Sequence, residues 1–176
     1  MPEIKLHIKI LTTPIYFSVE QMIAAAKEIF ITAGIEINID STEKLNSEDE
    51  DLSLLNDIYT EDCMMGSPSP DQVKLSVYRG NAEINEVVAF FCRSVFGNSG
   101  ILGGCASYPQ NNPMFAVSST CSKYTFAHEL GHVLGLTHVF SPNRLMTLYG
   151  TDNIRNPPPD IIQREIDLIL TSNFII

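Results

Sequence analysis

The chain has 176 residues, of which 44% are hydrophobic and 18% are charged, and its formal net charge is −10. This length and composition predict a soluble globular domain with a buried core. The negative charge argues against nucleic acid or an anionic membrane as a partner, and no apolar run approaches the length of a membrane span.

The first predicted element is a strand. Lys5, His7 and Lys9 alternate with four apolar residues, Ile4, Leu6, Ile8 and Ile10. A period of two predicts a strand with one buried face. His7 falls on the other face, where we predict a solvated side chain.

A helix and a second strand follow. Ser18–Gln21 has the pattern of a capping box, and Gly34 predicts the helix end. The apolar stripe between them comprises Met22, Ala26, Ile29 and Ala33. Alternation over residues 35–40 predicts the next strand, and the strand–helix–strand order predicts a right-handed crossover with parallel pairing.

The middle of the chain is less regular. Residues 41–62 are polar and acidic and predict a solvated loop, since the ligand spacing of a known calcium loop is missing. Ser69-Pro70-Asp71 predicts a short helix ending before Gly80, although alternation of apolar residues over 73–77 also suits a strand. The apolar run Glu86–Cys92 predicts a central strand.

Four cysteines allow two disulfides in three connectivities, and free buried thiols are the alternative. They are Cys63, Cys92, Cys105 and Cys121. None has the C-x-x-C spacing that would predict a thiolate zinc site.

Two further strands are predicted before the longest motif. Glycines open the segment Gly100–Pro109 and a proline closes it, which is typical of an edge strand. Phe115–Val117 predicts another short strand. The helix after it is predicted to begin with Ser122 or Thr125 as its cap, and its core face comprises Phe126, Leu130, Val133 and Leu134.

This helix carries a metal-ligand pattern. His128 and His132 are four residues apart, so on a helix they share one face and can bind one metal ion at about 2.0–2.1 Å each. Glu129 lies about 100° round the helix, beside the metal face. There it is placed to take a proton from metal-bound water.

A third ligand is predicted beyond the helix. A continued helix would place His138 about 15 Å beyond His128, so the chain must stop and turn back. Gly135 permits this turn because glycine enters the left-handed region without a Cβ penalty. Three imidazoles with an open fourth position is the layout of a catalytic zinc site.

The end of the chain predicts a turn and a last helix. Met146 follows His138 by eight residues, and three prolines precede Asp160. The apolar stripe of the last helix comprises Ile162, Ile166 and Ile169, with Asp160, Glu165 and Asp167 outside it.

Residues 125–146 resemble the metzincin metalloproteases, whose signature is H-E-x-x-H-x-x-G-x-x-H followed by a methionine-containing turn. Every specified position is present, and the spacing to Met146 is most similar to the matrixin branch. The resemblance implies a zincin-like α/β (α+β) fold, in which a mixed twisted sheet has a backing helix and a zinc-binding helix. It also implies a single catalytic domain over 1–176, with an upper part at 1–135 and a small C-terminal part at 136–176.

The implied activity is that of a zinc endopeptidase with one catalytic Zn²⁺ held by His128, His132 and His138. Glu129 would be general base and then general acid, Gly135 would make the turn, and Met146 would pack beneath the histidines as an apolar floor. Tyr149 follows Met146 by three residues rather than the two of the astacin branch, so we do not expect it to bind zinc.

The resemblance also implies how substrate binds. In metzincins the strand shortly before the zinc helix pairs with an extended peptide, which here predicts main-chain contacts at Gly104, Cys105 and Ala106. Thr147 to Tyr149 would then wall the pocket for the side chain after the cleaved bond. The expected partner is a peptide or protein, and the chain is expected to be a monomer.

There are two rival hypotheses, one from another functional class and one from another group of zinc enzymes. A binding or toxin module could keep the zinc fold with little turnover, although Glu129 would then have no use. A thermolysin-like site would take its third ligand from a later helix, where Glu165 is the candidate, but His138 makes that unnecessary. The compartment stays open: residues 1–5 lack a signal peptide's apolar region, whereas the resemblance favours an extracellular location.

Overall fold

A computed structural model describes residues 1–45, 48–61, 63 and 68–176. The described residues contain eight strands and five α-helices. The strands are β1 (Glu3–Ile10), β2 (Glu36–Lys44), β3 (Asp57–Tyr59), β4 (Val87–Cys92), β5 (Ser94–Gly97), β6 (Gly100–Leu102), β7 (Gly104–Cys105) and β8 (Met114–Ser118). The helices are α1 (Val19–Thr32), α2 (Glu50–Leu54), α3 (Pro70–Leu75), α4 (Thr125–Val133) and α5 (Gln163–Ile169).

The strands form two sheets. The larger has the order β2-β1-β4-β8-β7, in which the first four strands are parallel and β7 is antiparallel to β8. The smaller has the order β3-β5-β6. The parallel pairing of β1 and β2 around α1, the central position of β4, and the mixed α/β class are as predicted.

The first helix forms where the sequence indicates. The hydroxyl of Ser18 accepts the N–H of Gln21 at 3.2 Å, and the side-chain oxygen of Gln21 accepts the N–H of Ser18 at 2.8 Å. Just past the helix, Gly34 has φ +72°, a conformation that favours glycine. The predicted capping box and helix end are therefore both present.

A separate hydrophobic core lies on each face of the larger sheet. One core joins the sheet to α1 and α4 and contains Ile4, Leu6, Met22, Phe115, Phe126 and Leu130. The other lies between the sheet and the segments around β3, β5 and α3 and contains Ile58, Leu75, Phe90 and Val95. Burying one such side chain contributes about 1.5–3 kcal/mol, so α4 is held firmly against the sheet.

The prediction that His7 is solvated is wrong. Its ring Nε2 donates to Glu86 Oε2 at 2.9 Å, its Nδ1 bonds Ser41 Oγ at 2.8 Å, and its side chain is only 13% exposed. The pairing passes from Leu6↔Ile39 to His7↔Ser41, which leaves Asp40 as an inserted bulge residue. Strand alternation predicted the apolar face correctly but could not show that distant segments would cover the polar one.

The prediction of one solvated loop over 41–62 is also wrong. β2 continues to Lys44, and α2 and β3 follow. The carboxylate of Asp49 accepts the N–H of Leu52 at 3.2 Å, so part of the acidic run begins a helix, where negative charge is stabilising. Residues 46, 47 and 62 of the predicted loop lie outside the described residues.

The segment after residue 68 is helical, as one of the two alternatives predicted. Ser69 and Gln72 form a capping box for α3, and a 3-10 turn over Ser76–Arg79 leads to Gly80. The predicted edge strand Gly100–Pro109 is divided between two sheets. β6 pairs with β5 in the smaller sheet, and only the two residues of β7 lie at the edge of the larger one.

The boundaries of the last two helices differ in part from prediction. Tyr124 is the N-cap of α4 and makes no side-chain cap bond, whereas Thr125 is already helical. Ile169 in α5 is fully buried, but Ile162 lies before the helix and is exposed. Glu165, predicted outside the apolar stripe, is largely buried in an ion pair with Arg144.

The cysteines adopt a mixture of the two predicted states. Cys63 and Cys105 form a disulfide, whereas Cys92 and Cys121 are free and buried. Burial raises the pKa of each free thiol to about 12. None of the helices in the described residues has the length and apolar character that crossing a bilayer requires.

Candidate metal centre

Helix α4 presents two histidine rings from one face. The rings of His128 and His132 are centred 4.8 Å apart. The chain then reverses at Gly135, whose φ is +97°, and the N–H of Leu136 closes the turn on the carbonyl of Gly131 at 2.9 Å. The predicted helix stop and the predicted use of a glycine are both seen.

The third ring comes back toward the helix on a short extended segment. Val139 donates its N–H to the carbonyl of Met146 at 2.8 Å, and Leu148 donates to the carbonyl of Val139 at 3.1 Å. This pairing fixes His138 beside the helix. Its Nε2 lies 3.0 Å from Nε2 of His128 and 3.1 Å from Nε2 of His132.

Backbone carbonyls fix the tautomers of the two helical histidines. His128 donates its Nδ1–H to the carbonyl of Leu145 at 2.7 Å, and His132 donates its Nδ1–H to the carbonyl of Leu136 at 2.9 Å. Each neutral ring therefore turns the lone pair of its Nε2 inward. Nδ1 of His138 is buried and has no hydrogen-bond partner among the described residues.

The environment keeps all three rings neutral. Burial, together with neighbouring rings, lowers the pKa of His128 to about 3 and that of His132 to about 4. Burial also lowers the pKa of His138. Neutral imidazole is the form that binds a metal.

This donor set fits a zinc ion. Tetrahedral ligation with Zn–N bonds of about 2.0–2.1 Å separates the nitrogens by roughly 3.3–3.4 Å, close to the 3.0 and 3.1 Å observed. Without a cation, lone pairs of neutral rings would face one another in a buried place. Glu165, the ligand of the rival thermolysin-like hypothesis, is instead paired with Arg144.

Glu129 lies beside the histidines on α4 and is only 6% exposed. Burial raises the pKa of its carboxyl group to about 8, an effect that a nearby cation would oppose. Its side chain packs against the backbone of Gly104 in β7. The edge strand β7 and helix α4 are therefore in direct contact through this side chain.

Comparison with known proteins gives the family. A family model described as metallo-peptidase family M12B, reprolysin-like, matches residues 17–139. The chain belongs to this family. A search of the curated proteins returns no match.

Solved structures share the fold of this reprolysin-like chain. Metalloproteinase-II from Bacteroides fragilis aligns with a TM-score of 0.60 and 15% identity, over 96% of this chain and 52% of its own. A zinc-dependent peptidase from Methanocorpusculum labreanum aligns at 0.55 and 14%, over 93% and 99%. Archaemetzincin from Methanopyrus kandleri aligns at 0.53 and 16%, over 96% and 94%.

These comparisons confirm the predicted zincin-like fold, and the family is one of metallopeptidases, whose substrates are proteins or peptides. The chain spans about half the length of the Bacteroides structure. The family match ends at residue 139 and so includes all three histidines and Glu129 but not Met146.

Met146 packs against helix α4 of this reprolysin-like chain. It is 1% exposed, and a Cβ placed on Gly131 would lie 2.5 Å from its Sδ. Gly131 lies between the two helical histidines in sequence, so the methionine reaches the helix there because no side chain is in the way. The packing of Met146 beneath the histidines was expected, but the role of Gly131 was not, although a glycine inside a helix is a recognisable signal.

A cleft of about 650 Å³ opens in front of the histidines. Of the residues predicted to contact substrate, Gly104, Thr147 and Leu148 line it. Cys105, Ala106 and Tyr149 are not among the lining residues: Cys105 points into the disulfide, Ala106 is 7% exposed, and Tyr149 is 53% exposed. No sequence pattern indicated other lining residues, among them Glu61, Asn98 and Ser99.

Proposed function

We propose that the chain is a zinc-dependent endopeptidase of the metzincin class, with one zinc ion held by His128, His132 and His138. The observation that carries this proposal is the convergence of three Nε2 atoms, two of them fixed as acceptors by carbonyls at their Nδ1 atoms. The matrixin-like spacing to Met146 stays a prediction, because the family that matches is reprolysin-like.

The proposed reaction is hydrolysis of a peptide bond. Zinc, when bound, supplies a Lewis acid that polarises the scissile carbonyl and lowers the pKa of water to about 7. Glu129 accepts the proton that the attacking water loses and then passes it to the leaving amine. Its buried position beside the histidines suits this role, since proton transfer needs a carboxylate within hydrogen-bond reach.

Substitution of Glu129 tests the mechanism. Glu129→Gln keeps the size of the side chain but removes the base, and positioned proton transfer contributes about 10²–10⁴-fold in rate. We expect hydrolysis of casein or a quenched peptide to fall by at least about two decades. Zinc content by mass spectrometry and the circular dichroism spectrum should be unchanged. Near-full proteolysis in this variant would show that the assigned mechanism is wrong.

We propose that an extended peptide pairs with the edge at Gly104, Cys105 and Ala106, and that Thr147 to Tyr149 form the opposite wall. Gly104 and Thr147 lie at the cleft, and β7 is the last strand of its sheet, so main-chain groups there are available to a partner strand.

Ala106→Pro tests this edge, because proline removes one N–H donor. One hydrogen bond contributes about 0.5–1.5 kcal/mol, so we expect KM to rise about 2–10-fold while zinc content and folding persist. Wild-type kinetics in this variant would move the substrate to another surface.

The alternative function is a catalytically weak zinc-binding or toxin module. The inward-facing carboxylate of Glu129 favours the enzyme, since a silent zinc site has no need of one. Digestion of mixed denatured proteins, with and without a chelator, separates the two. We further propose that residues 1–176 act as one monomeric catalytic unit, with its two parts meeting after Gly135.

A further inference from the structure

We propose that Gly104 is a positioning residue for Glu129: the missing side chain at position 104 makes the space in which the catalytic carboxylate is held. This inference rests on the proposed function. It assigns to Gly104 a role beyond main-chain contact with substrate, and the role depends on this residue having no Cβ.

The geometry leaves no space for a side chain at position 104. An added Cβ would lie 2.6 Å from Cγ and 2.9 Å from Oε1 of Glu129, and 2.8 Å from the carbonyl oxygen of Ala116. Real Cβ atoms essentially never approach other heavy atoms closer than 3.0 Å. A methyl group at position 104 therefore requires something to move.

Backbone conformation does not explain this glycine. Among the described residues, the positive-φ glycines are Gly34, Gly80, Gly100, Gly135 and Gly150, and Gly104 is not one of them. Gly135 is the opposite case, since its φ is +97° and a Cβ there would meet nothing within 4 Å. One glycine serves the turn that returns His138, and the other leaves room for Glu129.

The strand cannot easily retreat from the helix. The carbonyl of Ala116 in β8 also faces an added Cβ, at 2.8 Å, and the next residue, Cys105, pairs with Ala116 and is bonded to Cys63. Helix α4 is equally fixed, because Phe126 and Leu130 are fully buried. The side chain of Glu129 is the most mobile of these groups and would be displaced toward the cleft.

The displacement is large enough to affect catalysis. Moving Cγ from 2.6 Å to an ordinary contact of 3.4 Å is a shift of about 0.8 Å. A misplacement of about 1 Å in a catalytic group can cost about 10²-fold in rate. We therefore expect Gly104→Ala to lower kcat by about 10–100-fold, with zinc content unchanged.

A double-mutant cycle tests whether the effect passes through the carboxylate. Gly104→Ala is made alone and in the Glu129→Gln background, and residual turnover is measured on a quenched peptide. If Gly104 acts by positioning the base, the added methyl group has little left to disturb once the base is gone. The loss of turnover caused by Gly104→Ala should therefore shrink to about twofold or less in the Glu129→Gln background.

Gly103→Ala is the matched control. It adds the same methyl group to the neighbouring residue, but the three atoms nearest its Cβ belong to Thr125 and Cys121, beginning at 3.3 Å. Its effect, whatever its size, should multiply with that of Glu129→Gln. A similar fold-loss from Gly104→Ala in both backgrounds would overturn the proposal and make Gly104 a strand or substrate residue.

A second cycle uses stability of the metal-free chain and does not depend on activity. Glu129→Ala removes Cγ and Oε1, so Gly104→Ala should lower Tm less in that background than in the wild type. An equal fall in Tm in the two backgrounds would mean that the carbonyl of Ala116 alone resists the methyl group, and it would overturn the proposal. Failure of Gly104→Ala to fold in both backgrounds would have the same meaning. Full activity of the single variant Glu129→Gln, by contrast, would contradict the proposed function itself. That result is measured without any change at Gly104, so the two failures can be told apart.

Discussion

The four histidines of this chain form two clusters that differ in how the ring nitrogens are used. In the candidate metal centre, His128 and His132 each donate a hydrogen bond from Nδ1 to a backbone carbonyl, and their Nε2 atoms face the interior of the site. Both ring nitrogens of His7 form hydrogen bonds with side chains, one with Ser41 and one with Glu86. In the first cluster, Nε2 lone pairs face one another with no proton between them. In the second cluster, both nitrogens of the ring have a hydrogen-bond partner.

The difference matters because proximity alone does not separate the two clusters. Ligand atoms of His7, Asp40 and Glu86 also lie within 4.8 Å of one another. A carboxylate beside Nε2 holds a proton there, and Lys5 adds a positive charge 3.8 Å from the other oxygen of Glu86. We infer that the His7 cluster joins three segments of the fold and does not bind the catalytic ion.

The largest expected effect is on zinc binding. His138→Ala leaves two protein ligands, and loss of a mere outer partner of a ligand costs about 10–100-fold in affinity. We expect more than about 100-fold weaker binding of zinc, with loss of proteolysis, when zinc is measured by mass spectrometry at limiting concentrations. Undiminished zinc in this variant would show that the third ligand is elsewhere.

The two clusters also show which part of the molecule a sequence can predict. The approach of the three histidines of the candidate metal centre was predictable because they lie within eleven residues, on one helix and the turn that follows it, so known helical geometry relates them. The partners of His7 are 34 and 79 residues away, and no local pattern joins them. Likewise, Glu61 and Ser99 reach the cleft only through a second sheet that the sequence did not predict.

Gly104 falls between these cases. The pattern of glycines before a proline indicated an edge strand, and the resemblance indicated where a substrate would lie. That the strand also packs on Glu129 depends on an approach across 25 residues, and only the folded chain shows it.

An intermediate effect is expected at His7. His7→Ala leaves the buried carboxylate of Glu86 with the N–H of Glu83 and the ammonium group of Lys5. Loss of a buried hydrogen-bond partner costs about 1–3 kcal/mol, and we expect the free energy of unfolding in urea to fall by that amount.

Zinc content provides the control for this variant. It should equal that of the wild type, since His7 is not assigned to the metal centre. A wild type that binds two zinc ions, and a His7→Ala variant that binds one, would make the His7 cluster a second metal site and end the distinction drawn above.

The smallest expected effect is on the pH dependence of stability. Burial by itself raises the pKa of Glu86, but hydrogen bonds from the backbone of Glu83 and from His7, with the charges of His7 and Lys5, outweigh it and hold the pKa below its usual value. The unfolded chain, whose glutamate pKa is about 4.3, then binds more protons than the folded chain in the acid range. The stability contributed by Glu86 is present above the unfolded pKa and is lost as pH falls through the folded pKa.

Glu86→Gln cannot titrate, so its free energy of unfolding, about 1 kcal/mol below that of the wild type at pH 7, should approach the wild-type value between about pH 5 and pH 3. Asp57, whose pKa is held low chiefly by its hydrogen bond with Arg93, titrates in both proteins and cancels when their urea midpoints are compared. A gap that stays constant over this range would show that His7 and Lys5 do not stabilise the charged form of Glu86.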